Sequence, residues 1–126
     1  HRNHLGVTTS QPITLGPSTT TLDLTDPSTQ TFGTDAQMDV NGVRMLWPGD
    51  ATTDGAVKYF GPYNDRDKIL VAIGGSVPTA TITGYRAEDV NLDGVVKYTG
   101  LRNDRDIILQ TIGGTVPTAV RVEQRP

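Results

Sequence analysis

The sequence predicts an α+β chain: an N-terminal, incomplete β-sandwich-like segment over residues 1–48, then two loop–helix repeats packed as a pseudo-twofold pair over residues 49–126. Three observations carry this. From Asp50 onward the text repeats at a constant spacing of 39 residues, and such a period defines architecture before any local pattern does. Asp50, Asp54-Gly55, Val57-Lys58-Tyr59, Asn64-Asp65-Arg66-Asp67, Ile69-Leu70, Ile73-Gly74-Gly75 and Val77-Pro78-Thr79-Ala80 all return, without a gap, from Asp89 to Ala119. Each copy holds one short run with helical apolar spacing. Ahead of the first copy there is no helical period, only threonine and scattered apolar residues between turn signals, which is the composition of strands.

Taken in order, the N-terminal strands are expected over 4–9, 13–15 and 19–24, separated by turns at Gly16-Pro17-Ser18 and Asp26-Pro27-Ser28. A hairpin of 36–40 with 43–47 follows, turning at Asn41-Gly42, a pair suited to a type I′ turn. Pro48-Gly49 marks the junction. The first repeat then spans about 50–85 and the second about 89–123. Asn64 and Asn103 are placed to cap helices, and Gly74-Gly75 and Gly113-Gly114 to end them. Ile69, Leu70 and Ile73, matched by Ile108, Leu109 and Ile112, give each helix one apolar stripe. Helices of about nine residues do not persist alone in water, so the two stripes are expected to pack together. Val116, Thr118, Val120 and Val122 alternate as a final strand.

The loops carry the chemistry. Asp89, Asn91 and Asp93 place side-chain oxygens at every second position, and Gly94 follows where the chain must bend. A hard cation such as Ca2+, which takes six to eight oxygen ligands, asks this of a backbone. In a twelve-residue EF-hand loop the seventh residue adds its carbonyl and the twelfth a carboxylate. Val95 supplies the former, and Asp106 stands in the place of the latter after an insertion of six residues. The first copy reads Asp50, Thr52, Asp54, Ala56 and Asp67, with the Thr52 hydroxyl, carbonyl or a water replacing the Asn91 amide. Asp65 and Asp104 either compensate the helix dipole or ligate directly. Two calcium ions are expected, the second loop binding more tightly. The plain alternative is that Asp, Asn and Gly are common in turns and caps, against which stand two copies in register.

Composition supports local sites over a charged surface. Eight of the fourteen acidic residues are the aspartates at 50, 54, 65, 67, 89, 93, 104 and 106, and without them the net charge of −3 would be +5. Nucleic acid is therefore not indicated as a partner. No apolar run approaches the roughly 18 residues of a membrane span. Cysteine is absent, so no disulfide can staple two small units, and bound metal is the expected substitute. No Ser-His-Asp or paired-Glu setting is identifiable, which argues against an enzyme. His1 and His4 are expected to be solvated or strand-pairing residues, with a copper or nickel chelate as the alternative. The Thr- and Ser-rich strands could carry O-glycans, although β propensity alone accounts for the threonines.

An Asp-x-Asn-x-Asp-Gly loop followed by one helix, in tandem, resembles the type I dockerin arrangement of half EF-hands. With Val-Lys-Tyr, Asn-Asp-Arg-Asp and Ile-Gly-Gly-x-Val-Pro-Thr included, residues 50–123 are similar to tandem calcium repeats near the carboxyl ends of large secreted bacterial haemagglutinin-like or adhesin-like surface proteins. The resemblance implies an extracellular, cell-surface structural module. It also implies a chain cut after an arginine ahead of His1, polymerising into a filament or pilus by strand exchange, with residues 116–122 or those after them as donor. The alternative it carries is a dockerin-like module that binds a cohesin-type receptor.

Overall fold

Where the backbone's polar groups go decides how much of the expected β structure forms. The computed structural model describes residues 2–126 and is α+β, with two helices and short antiparallel strands. Expectations that rest on His1, the cleavage and the His1–His4 chelate, lie outside the described residues. The chain divides into two units, Gly6–Trp47 with Glu123–Pro126, and residues 2–5 with Pro48–Val122.

In the smaller unit the strands β1 (Gln37–Val40) and β2 (Val43–Leu46) form an antiparallel hairpin with Gln37 opposite Leu46. Asn41 and Gly42 turn it with φ of 53° and 82°, the two positive values a type I′ turn requires. The sandwich expected ahead of this hairpin is not there. Among the described residues no strand forms over 4–9, 13–15 or 19–24, and these segments make only the isolated bridges His4–Pro48 and Thr9–Thr31. Local side-chain bonds take the backbone groups instead: Asp23 accepts from the N–H and hydroxyl of Thr25, Asp26 accepts from Ser28 N–H, and Thr29 Oγ1 donates to the Asp23 carbonyl. Short polar side chains compete with ladders in this way. The apolar surface for a second sheet is also lacking, since Leu15 is 83% exposed.

The larger unit holds β3 (Ala56–Lys58), α1 (Asp65–Ala72), β4 (Thr81–Thr83), β5 (Val95–Lys97), α2 (Asp104–Thr111) and β6 (Val120–Val122). Asn64 and Asn103 cap the helices by accepting from the Asp67 and Asp106 N–H groups. The strands pair reciprocally. β3 from the first loop is antiparallel to β6, the exit of the second repeat, with Ala56 opposite Val122. β5 from the second loop is antiparallel to β4, the exit of the first, with Val95 opposite Thr83. Moving β3 forward and β6 back by the repeat length of 39 residues turns the first ladder into the second. The helices pack on each other, α1 also on β5 and α2 on β3, which buries Ile69, Ile108, Val57 and Val96 completely. The expected strand over 116–122 shortens to β6 because Ala119 N–H closes a turn onto the Val116 carbonyl. β6 already has a partner within its own chain, so it is not the free donor strand that the sequence suggested.

Candidate metal centre

Asp50 and Asp89 shape the two loops. Asp50 Oδ1 accepts from Asp54 N–H at 3.1 Å and Oδ2 from Gly55 N–H at 3.0 Å. Asp89 repeats both bonds with Asp93 and Gly94 at the same distances. The bend puts Gly55 and Gly94 at φ of 81° and 87°, a region a side chain disfavours. Asp54 and Asp93 then accept from the N–H groups of Ala56 and Val95, the residues that open β3 and β5. Their other oxygens accept from Lys58 Nζ at 2.9 Å and Lys97 Nζ at 3.3 Å.

The carboxylate that reaches back into each loop is Asp65 or Asp104, and not Asp67 or Asp106. Asp104 Oδ1 accepts from the N–H groups of Val90 and Asn91 at 2.9 and 3.2 Å, and Oδ2 accepts from Lys97 N–H at 2.8 Å. Asp65 accepts from Thr52 N–H, from Thr52 Oγ1 at 3.0 Å, and from Lys58 N–H. Both side chains are fully buried. Asp67 and Asp106 stand one half-turn further on. There they bond the cap Asn64 or Asn103 and the adjacent Arg66 or Arg105. The Asn64 amide holds the Asp67 carboxyl below its usual range. The signal for this was present in the sequence: Asn-x-x-Asp is a reciprocal capping spacing, which commits the third helical acid to the cap and leaves the first to the loop.

Thr52 and Asn91, at equivalent positions, do different work. The Thr52 hydroxyl points at Asp65. The Asn91 amide bridges Asp93 N–H to the Arg102 carbonyl, tying the second loop to the inserted segment. Sequence reasoning missed Asn3, which lies outside the repeat and carries no spacing signal. It is completely buried, its carbonyl accepts from Gly49 and Asp50 N–H at 3.0 and 3.1 Å, and its side-chain amide donates to the Asp89 carbonyl.

Burial pushes Asp65 and Asp104 up to about 6, and the neighbouring Asp50 or Asp89 carboxylate pushes in the same direction. Burial also raises Asp50. Each loop thus holds two mutually repelling buried carboxylates, while its lysine ammonium answers the third aspartate. Each carboxylate oxygen that accepts one N–H keeps a further acceptor direction, so the all-oxygen donor set fits a hard divalent cation. Among the described residues no three acidic or imidazole side chains converge as a formed cluster. A cation would draw Asp54 and Asp93 from their lysines.

The raised values fix a pH dependence for the metal-free chain. A carboxyl with a higher pKa folded than unfolded binds protons more tightly when folded, so its stabilising contribution is complete below about 4 and is lost as pH rises through about 6. In chelator the larger unit should therefore melt higher at pH 5 than at pH 7.5. With saturating calcium the order should reverse, because binding requires ionised ligands. Thermal unfolding at the two pH values, with and without the ion, measures both.

No family model, no curated protein and no solved structure matches the chain.

Proposed function

We propose that the repeat pair is a non-enzymatic structural module in which each loop holds one calcium ion, belonging to an extracellular or bacterial cell-surface protein. The supporting observation is the pair of buried, mutually repelling carboxylates in each loop, Asp50 with Asp65 and Asp89 with Asp104, set among oxygen donors alone. In the first loop the holders would be Asp50, Thr52, Asp54 and Asp65 with the Ala56 carbonyl. In the second they would be Asp89, Asn91, Asp93 and Asp104 with the Val95 carbonyl. Extracellular modules of this type bind at about 10⁻⁴ to 10⁻³ M, which suits a protein bathed in millimolar calcium. At ten times the dissociation constant one ion adds about 1.4 kcal/mol of stability.

Calorimetry should find two sites. Asp104→Asn should weaken the second site at least about tenfold, the effect of losing roughly 1.4 kcal/mol. Asp106→Ala, which touches only the cap and Arg105, should leave it within about twofold, since a lost cap acts on the helix and not on the donor set. Equal losses in the two variants would overturn the ligand assignment, and no heat on titration would overturn the calcium reading.

A second reading is a dockerin-like module that docks on a cohesin-type receptor, although the inserted segments depart from the dockerin arrangement. These segments expose Tyr63 and Leu101 at 86% and 92%. Capture by a cohesin panel that is lost on Tyr63→Ser and Leu101→Ser would support it. Filament assembly through β6 is not part of the proposal, because that strand would first have to leave β3.

A further inference from the structure

We propose that Asn3 is a positioning residue that couples the two loops, so that cation binding at one raises the affinity of the other. This rests on the calcium reading above.

The first acid of the first loop and the first acid of the second are held by different groups of this one residue. The Asn3 main-chain carbonyl takes the Gly49 and Asp50 N–H groups, and the Asn3 side-chain amide donates to the Asp89 carbonyl. Asn3 has no exposed surface, so both its main-chain and its side-chain contacts lie inside the packed unit. Its neighbours fix it from both directions. Arg2 donates through Nε and Nη2 to the Arg86 carbonyl at 3.0 and 2.8 Å, its guanidinium 3.4 Å from the Tyr85 ring centre. On the other side His4 bridges to Pro48, and Leu5 is buried. The start of the first loop is tied to the second repeat as well. Thr111 Oγ1, on α2, donates to the Pro48 carbonyl at 2.8 Å. Gly49, at φ 114°, passes so close to α2 that an added Cβ would lie 3.5 Å from the Ile108 Cα.

A cation that orders Asp89 therefore orders Asn3, and through its carbonyl orders Asp50; by linkage the converse holds to the same factor. No other described residue bonds the first acids of both loops, so the coupling should depend on this one side chain. Coupling factors between linked sites start at about fivefold.

The test uses the full chain and calcium itself. Calorimetry gives the affinity of the second loop with the first intact and with the first disabled by Asp54→Ala, in both Asn3 and Asn3→Ala backgrounds. With Asn3 present, disabling the first loop should weaken the second about fivefold. With Asn3→Ala the ratio should fall to about one, and Asn3→Asp, which keeps the shape but not the donor, should behave like Asn3→Ala. A loss of stability alone would move the affinities but not their ratio. A second measurement needs no change at Asn3: in the Asp54→Ala chain, the Gly49 and Asp50 amide resonances should shift with occupancy of the second loop. Two titrating sites with the same ratio in both backgrounds, or Gly49 and Asp50 resonances that stay still, would overturn the coupling and leave the calcium reading standing. Absence of calcium binding to the unaltered chain would overturn both.

Discussion

Asp104→Ala should strongly lower the melting temperature of the repeat pair in metal-free buffer. The substitution removes a carboxylate that accepts three backbone N–H groups, from Val90, Asn91 and Lys97, and leaves all three without their partner. A buried donor left unmade costs about 1–3 kcal/mol, and that applies in full to Val90 N–H, while the part-buried N–H groups of Asn91 and Lys97 lose less, against a total of about 5–15 kcal/mol for a domain. Removing a buried, repelled carboxylate gives some of that back, but only where the charge was uncompensated. Asp104→Asn separates the two contributions, since its oxygen can still accept on one side while its amide faces donors on the other. It should melt between the parent and the alanine variant. Circular dichroism melts in chelator give the ranking, and an alanine variant within a few degrees of the parent would show that these amides find water instead.

Ile108→Asp should abolish both repeats together. Ile108 is fully buried on α2, which packs on α1 and on β3, so its neighbours belong to the other copy of the repeat as much as to its own. Truncating such a side chain alone costs about 2–5 kcal/mol, and an unpaired buried charge adds several more. The repeats exchange strands, so the first cannot keep β3 paired once the second has melted. An NMR spectrum in which Val57 and Ile69 lose their dispersion along with Val96 is the expected result. Survival of the first repeat's signals would mean that each copy folds alone.

The repeat was legible because 39-residue identity survives any error in assigning local structure. Helix limits followed from Asn64, Asn103 and the paired glycines, and the hairpin from Asn41-Gly42. What failed was the reading of threonine. β propensity describes fit to a half-buried pleat, and residues 6–35 have too little apolar surface to make one, so their hydroxyls and carboxylates close turns instead. The sequence left Asp104 open between dipole compensation and ligation and put Asp106 in the closing place by counting across the six-residue insertion; the structure bonds Asp106 to the Asn103 cap and turns Asp104 toward the loop. The partners of β3 and β5 were unreadable. Three-residue strands carry no register signal, and β3 finds its partner more than sixty residues downstream.

That pairing pattern limits how many copies can work together. In a solenoid each unit offers one face to the next and leaves another open, so the array can lengthen. Here the contact is self-complementary in the manner of a twofold dimer: the loop strand of each copy meets the exit strand of its sister, and both ladders are then complete. A third copy inserted after β6 would bring a loop strand and an exit strand of its own and find neither counterpart vacant. The arrangement is closed at two. Duplication of this unit can multiply only in pairs, and a chain carrying an odd copy should leave that copy unpaired and prone to proteolysis.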